Sequence, residues 1–162
     1  MIVLGVDPGV VTAGYAVVSV SKSRVMLLDY GTLKQRSAIP LSERVSVLHD
    51  FFNEKIEAWR VTDLALETPF LGKNAQNFLK LGYVRGVLYV SVHKYDLMLH
   101  EFSPREVKRA LTGYGAAQKD QLARVITRLF PGFEFDGRYD MTDAISLALC
   151  GLWQSKSSSV MF

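Results

Sequence analysis

The chain has 162 residues, of which 49% are hydrophobic and 22% are charged, and its formal net charge is +3. These values predict one globular domain with a sizeable core. No apolar run approaches the roughly 18 residues of a membrane span, and the N-terminus lacks a secretory signal pattern, so we expect a cytosolic protein without a membrane partner. The only cysteine, Cys150, excludes an internal disulfide framework and a zinc site built from cysteines.

Positive charge is concentrated between residues 105 and 128, where six basic and two acidic residues give a local balance of +4. The remainder of the chain sums to −1. A basic stretch on an otherwise neutral body is typical of a polyanion-binding face. Basic residues on helices more often form only a solvated surface, so charge alone leaves both interpretations open.

Hydrophobic patterning predicts an α/β order of elements. Three strands come first, at residues 2–6, 13–20 and 25–33, and their short connections imply an antiparallel meander. Apolar residues at steps of three and four predict an amphipathic helix over 41–59, which leads into a buried strand at 63–67. A helix over 74–94 and a fifth strand at 97–102 follow.

The last third of the chain is predicted to be helical. Ser103, Pro104 and Glu106 form a complete helix start, with an N-cap, a favoured first residue and a capping box. Further helices are predicted over 118–130 and 138–153. The domain would therefore span residues 1–154, and residues 155–162 are expected to be a short disordered tail.

Four acidic residues lie where strand ends and one helix face could bring them together. Asp7 and Glu67 each close a buried strand, and Asp140 and Asp143 are three residues apart on the last helix, at one edge of its apolar face. Clustered carboxylates repel one another unless they are protonated, paired or bound to cations. Because Mg²⁺ prefers oxygen ligands and leaves positions for phosphate and water, the set predicts metal-dependent phosphodiester hydrolysis.

Each acid also has a purely structural interpretation. Asp7 precedes Pro-Gly and could simply form a turn, and Asp140 or Asp143 could simply favour the N-terminal end of its helix. Glu67 directly follows a buried strand and needs a partner. The combination of the four, more than any one of them, indicates a metal site.

Several motifs occur in the order and at the spacing of one known family. They are VLGVDPG at 3–9, TAGY at 12–15, ALE at 65–67, KNA at 73–75, LKLG at 79–82, RG at 85–86, PREVKR at 104–109, GYG at 113–115, QK at 118–119 and DMTDA at 140–144. Together with Phe70 they cover roughly residues 1–153. The sequence thereby resembles the RuvC family of Holliday-junction resolvases.

The resemblance implies an RNase H-like fold, with a five-stranded mixed sheet whose first three strands are antiparallel, flanked by helices. It implies a Mg²⁺-dependent crossover junction endodeoxyribonuclease with two ions per site, for which Mn²⁺ would substitute. The implied assembly is a homodimer, paired through the helix over 74–94, that nicks two symmetry-related strands of four-way junction DNA in recombination and repair. Whether a branch-migration motor is a partner stays open.

The resemblance also implies roles for individual residues. The implied catalytic, metal-binding carboxylates are Asp7, Glu67, Asp140 and Asp143. The implied DNA-binding residues are an aromatic wedge and four basic side chains, namely Phe70, Lys73, Arg105, Lys108 and Lys119. Thr68 and Pro69 stand where the family commonly has Gln or Glu and then a branched aliphatic residue. Because proline restricts its own backbone and that of the preceding residue, we expect an altered presentation of the Phe70 ring.

Other functions remain compatible with these residues. One is a different RNase H-like nuclease that acts on branched DNA or RNA, and another is a junction-binding protein that does not cut. The Asp-Pro-Gly hairpin also resembles the phosphate-binding opening of sugar-kinase and actin-like ATPases. Those proteins need two such domains, which 162 residues cannot hold.

Overall fold

The computed structural model describes residues 1–22, 24–69 and 75–158, with side chains as far as Ser155. The predicted DNA-binding residues Phe70 and Lys73 lie outside these ranges, so their placement stays a prediction. In the described part of the chain, no helix is long and apolar enough to cross a lipid bilayer.

Five strands form one mixed sheet at the centre of the molecule. They are β1 (Ile2–Asp7), β2 (Thr12–Ser21), β3 (Arg24–Lys34), β4 (Asp63–Glu67) and β5 (Met98–Phe102). Their spatial order is β3-β2-β1-β4-β5. Strands β1, β2 and β3 are antiparallel, whereas β4 runs parallel to β1 and β5 runs parallel to β4. The predicted RNase H-like sheet is therefore confirmed.

Helices cover both faces of this sheet. Those in the described residues are α1 (Leu41–Trp59), α2 (Ala75–Lys94), α3 (Pro104–Thr112), α4 (Lys119–Leu129) and α5 (Tyr139–Ser158). Side chains of β1 alternate between the faces, as in any strand. Leu4 and Val6 join the core against α1 and α2, while Val3 packs with residues of α5.

Helix α5 lies very close to β1 and β2 because two glycines leave room for its backbone. A Cβ atom at Gly5 would lie 2.2 Å from the carbonyl oxygen of Ala144, and one at Gly14 would lie 2.1 Å from that of Asp140. Any side chain at either position would push the helix away from the sheet. This close approach sets the depth at which the first turns of α5 meet the strand ends.

Local sequence signals account for the start of α3. The Ser103 hydroxyl accepts a hydrogen bond from the Glu106 backbone N–H, and the Glu106 carboxylate accepts one from the Ser103 N–H at 2.7 Å. The capping box predicted from the sequence is thus confirmed. The helix ends at Gly113, whose φ of 77° lies in the left-handed region that glycine adopts without strain.

The end of α5 corrects the sequence prediction. The helix was predicted to stop near Trp153, with a disordered tail from Ser155, but it continues to Ser158. The Ser155 hydroxyl donates a hydrogen bond of 2.8 Å to the buried Asp63 carboxylate at the start of β4. This tertiary contact holds the last turn of α5 against the sheet. The local sequence around Ser155 does not predict it, because Asp63 is 92 residues away.

Candidate active site

Asp7 and Glu67 lie side by side because they end two parallel neighbouring strands. Val6 of β1 is paired with Leu66 of β4, and each acid is the next residue along its strand. Both side chains are half-buried. Carboxyl ends of parallel strands meet at the same sheet edge, which is the usual position of functional sites in α/β proteins.

Asp140 and Asp143 reach this edge from the first turns of α5. Across the β1-β2 ladder, Asp7 is paired with Gly14, the glycine on which the Asp140 backbone rests. Asp143 and Glu67 line one shared cleft. The fold thus brings the four acids predicted from the sequence to one region, two from strand ends and two from a helix.

Burial and the charges of neighbouring acids together disfavour ionisation of Asp7 and Glu67. Burial, followed by the charges of Asp143, Glu67 and Asp140, raises the pKa of Asp7 from 3.8 to about 7. Burial and then Asp143 also raise the pKa of Glu67, and the cations Lys119, Lys108 and Arg85 oppose that rise. Such mutual repulsion is what a bound divalent cation would relieve.

Lys119, at the start of α4, is the cation closest to the acids. Its ammonium group donates a hydrogen bond of 2.8 Å to Asp143 Oδ2 and lies 5.6 Å from the centre of the Tyr139 ring. Burial disfavours the charged form of Lys119, but the hydrogen bond to Asp143 and the charges of the acids leave its pKa raised. Lys119 therefore partly neutralises the cluster.

The donor set fits a hard divalent cation by its chemistry, since every candidate ligand is a carboxylate. The side chains are not gathered for coordination: among the described residues, no group of three or more His, Cys, Asp or Glu is positioned to hold a metal ion. The Lys119 ammonium engages Asp143 through Oδ2, so Lys119 and a bound cation would compete for the charge of this carboxylate. Asp7, Glu67, Asp140 and Asp143 thus remain predicted ligands.

A cleft of about 140 Å³ runs from the acids towards α3 and α4. Its lining includes two of the acids, Glu67 and Asp143, and two cations, Lys108 and Lys119. Lys108 also lines a wider groove of about 580 Å³ beside α3. The acidic edge and the basic surface are therefore continuous, as a site that cuts a polyanion requires.

The wider groove contains residues that sequence reasoning did not assign. Arg109 and Tyr114 line it together with the predicted Arg105 and Lys108, and the Tyr114 side chain is 63% exposed. None of the three cations forms an ion pair with another residue in the described ranges. Spacing along α3 could have indicated Arg109, which follows Lys108 and lies one helical turn from Arg105.

Arg85 on α2 was also missed as a site residue. It is only 4% exposed, and its guanidinium group donates to the backbone carbonyl of Glu67. The RG motif at 85–86 belongs to the family resemblance, but the sequence does not indicate that this arginine is buried against Glu67. It lines a second cleft, of about 150 Å³, together with Asp7 and Glu67.

The sheet has the strand order of the RNase H-like class of nucleases. Two of its carboxylates lie at the ends of the parallel strands β1 and β4, and two lie on helix α5, which crosses them. The profile of the family described as crossover junction endodeoxyribonuclease RuvC matches residues 3–151. This chain belongs to the RuvC family.

Curated relatives and solved structures agree with that membership. The RuvC of Chlorobium phaeobacteroides is 44% identical over 94% of this chain and 81% of the relative, and that of Chloroherpeton thalassium is 38% identical over 97% and 84%. The structure of Thermus thermophilus RuvC in complex with a Holliday junction substrate has a TM-score of 0.89 at 26% identity. The match covers 98% of this chain and 96% of that one.

Proposed function

We propose that this protein is a structure-selective endonuclease that resolves four-way DNA junctions by paired, symmetric nicks. Membership of the RuvC family and the likeness to a relative solved with a Holliday junction support this substrate. The observation that carries the proposal is the continuity between the acidic edge at Glu67 and Asp143 and the basic groove that begins at Lys108. A binding module would need only the groove, whereas the acids serve hydrolysis.

Each side chain then has a chemical role in the proposed reaction. Lys108 and Lys119 would hold phosphates that flank the scissile bond, since each can supply a positive point charge. Asp7 and Glu67, fixed at strand ends, would orient the attacking water. Asp140 and Asp143 would complete the ligand set from α5. Rigid secondary structure places all of these groups except the flexible lysine stems, which favours accurate positioning.

We further propose that Mg²⁺ is the cofactor, with Mn²⁺ as a substitute and two ions per site. Bound there, the ions would stabilise charge on the attacking and leaving oxygens and lower the pKa of the attacking water. The four carboxylates are the residues that would hold them. The raised pKa of Asp7 supports this assignment, because burial and then the charges of the other acids oppose its ionisation in the protein alone.

The proposed homodimer rests on the outward face of α2. Leu79 is 56% exposed and Val90 is 59% exposed, and Tyr83 lies between them on the same helical face. A Cβ atom at Gly82 or Gly86 would meet nothing within 4 Å. An apolar face with two small residues four apart suits close packing against the same helix of a second copy. Two copies would present two sites, one for each nick.

The direct test is a cleavage assay on labelled DNA substrates, with either Mg²⁺ or EDTA. The substrates are four-way junctions, linear duplexes, forks and RNA–DNA hybrids. We expect paired symmetric nicks on the four-way junction only, and none in EDTA. Equal cutting of forks or hybrids would instead support a broader RNase H-like nuclease. Tight binding without cleavage in Mg²⁺ or Mn²⁺ would leave only a junction-binding protein, an alternative that the complete carboxylate set disfavours.

Tyr114 offers a test of the groove as a DNA-binding surface. Its backbone N–H donates to the Thr112 hydroxyl, which in turn donates to the Lys108 carbonyl at 2.7 Å, so the turn that carries Tyr114 is anchored to α3. We expect Tyr114→Ala to weaken junction binding in EDTA by about 5- to 100-fold, the loss of one aromatic contact with DNA. Leu129→Ala, at an exposed side chain on α4, is the control. Equal affinities would remove the groove from the binding surface.

A further inference from the structure

Arg85 connects three parts of the protein that meet behind Glu67. Its Nη1 donates to the Glu67 carbonyl oxygen at the end of β4. Its Nη2 forms an ion pair with Glu101 of β5 and donates to the Tyr89 hydroxyl at 2.8 Å. The Tyr89 hydroxyl in turn donates to Glu101 Oε1 at 2.7 Å. The guanidinium is thus held in one orientation by acceptors on two strands and on its own helix.

Burial of an arginine in this way is costly unless every contact is made. With Arg85 only 4% exposed, its charge is compensated chiefly by Glu101, whose side chain is 36% exposed. A structural ion pair of this kind is often no better for stability than an apolar pair. The specific feature here is the bond to the Glu67 backbone, which fixes the residue that carries a predicted metal ligand.

We propose that Arg85 is a positioning residue that locks the Glu67 carboxylate in place and ties it to helix α2. This inference rests on the proposed function. Helix α2 presents Leu79, Tyr83 and Val90 outward, and Arg85 leaves the opposite side of the helix towards β4. The same rigid helix therefore contacts the proposed second subunit on one side and the active-site strand on the other. Pairing of subunits and placement of Glu67 become mechanically linked.

Arg85→Lys is the informative variant. Lysine keeps the charge, but its single ammonium cannot span the Glu67 carbonyl and the Glu101 carboxylate as the planar guanidinium does. We expect the variant to fold, to remain dimeric, and to bind the four-way junction in EDTA within about twofold of the wild type. Single-turnover cleavage should fall about 10- to 100-fold, the cost of a displacement near 1 Å at a reacting centre.

A second readout does not depend on cleavage. Mg²⁺ that binds the native state raises the melting temperature, and a displaced Glu67 weakens that binding. We therefore expect a smaller Mg²⁺-induced rise in Arg85→Lys than in the wild type. Raising the Mg²⁺ concentration should partly restore its cleavage rate. A merely structural arginine would lower the melting temperature in EDTA but would leave both of these Mg²⁺ effects unchanged.

Arg44→Lys is the matched control. Arg44 is also buried, and its guanidinium donates to the carbonyl oxygens of Ile39 and Val10, whereas that of Arg85 donates to the carbonyl of Glu67. The Arg44→Lys variant should be less stable than the wild type. At a temperature where it is folded, it should keep its cleavage rate and its Mg²⁺ response. The proposal is overturned if Arg85→Lys behaves as Arg44→Lys does. It is also overturned if weaker junction binding by Arg85→Lys accounts for all of its slower cleavage.

Glu101→Gln keeps the inference testable if Arg85→Lys does not fold. The amide retains the shape of the acceptor but removes the charge that holds the guanidinium. The cleavage rate and the Mg²⁺-induced rise in melting temperature should therefore decrease, by less than in Arg85→Lys. An unchanged rate and Mg²⁺ response in Glu101→Gln would reject the positioning role. If the wild type fails to cut four-way junctions, the proposed function fails, while the Mg²⁺-induced change in melting temperature still tests Arg85.

Discussion

Asp7→Asn is expected to abolish cleavage and, at the same time, to stabilise the protein. Asparagine cannot supply an anionic oxygen to a metal ion, so we expect a loss of roughly 1,000-fold or more in the single-turnover rate on a four-way junction. Binding to the junction in EDTA should persist, because the basic groove is untouched. A variant that retained full cleavage would remove Asp7 from the mechanism.

The stability gain follows from the raised pKa of Asp7. Burial and the neighbouring acids raise this pKa from 3.8 to about 7, so the folded state binds the proton more tightly than the unfolded state. Its contribution to stability is therefore present below pH 4 and is lost as the pH rises through about 7. The asparagine side chain does not titrate, so at pH 8 in EDTA the variant should be more stable than the wild type by on the order of 2 kcal/mol. Near pH 4 the difference should vanish.

Asp29→Asn is the control, for which we expect a loss of stability without a loss of cleavage. Asp29, on β3, accepts a hydrogen bond of 2.7 Å from the Lys55 ammonium. Removing its charge should cost about 1 kcal/mol and leave the cleavage rate unchanged. Chemical denaturation at pH 4, 6 and 8, with cleavage assays on the same samples, separates the two variants. Equal pH profiles for wild type and Asp7→Asn would contradict the assignment.

The same pKa determines how cleavage should depend on pH. Asp7 must lose its proton before it can bind a cation, so the rate at a fixed, low Mg²⁺ concentration should rise as the pH increases towards 8. A bound cation favours the ionised carboxylate and thus lowers the apparent midpoint. We therefore expect the midpoint of the pH–rate profile to move to lower pH as the Mg²⁺ concentration increases.

Leu79→Glu is expected to separate the subunits of the proposed dimer and to destroy paired incision. Because Leu79 is 56% exposed in the single chain, the change should cost little folding stability. In a symmetric dimer, each new carboxylate would enter an apolar interface on α2, so we expect the dimer dissociation constant to rise about 100-fold or more. Sedimentation equilibrium over a range of concentrations measures this change.

The functional consequence is visible on a supercoiled plasmid that carries a cruciform. Two nicks within one binding event give linear DNA, whereas single, uncoordinated nicks give relaxed circles. Wild type should yield mainly linear product and Leu79→Glu mainly relaxed circles at the same protein concentration. Met98→Glu, which alters a 61% exposed side chain on β5, should behave as wild type. Monomeric wild type at micromolar concentration would contradict resolution by dual incision.

Much of the fold was predictable because its signals are local. The three- and four-residue spacing of apolar residues predicts α1, whose observed bounds are Leu41–Trp59. The capping box at Ser103 fixes the start of α3 in the same way, through contacts within four residues. The motifs shared with the RuvC family also identified the four carboxylates from the sequence, although their metal-binding role stays a prediction.

Tertiary structure decided how these elements meet. Only the sheet order, with β4 beside β1 instead of β3, places Glu67 next to Asp7. Only the packing of α5 on Gly5 and Gly14 sets the distance from the helix to the strand ends. The bond from Lys119 to Asp143 joins residues 24 positions apart. Such contacts depend on the whole fold, and no periodicity in the sequence encodes them.

Arg85 and Ser155 show the same division for single side chains. By sequence, Arg85 is a basic residue on a helix and Ser155 belongs to a polar tail. In the fold, Arg85 is buried against the Glu67 carbonyl, and Ser155 donates a hydrogen bond to Asp63 and extends α5. The sequence by itself determined the elements, the chemistry of the acids and the basic stretch. Burial determined which polar groups act as fixed contacts, because the cost of an unpaired buried group exists only once the core has formed.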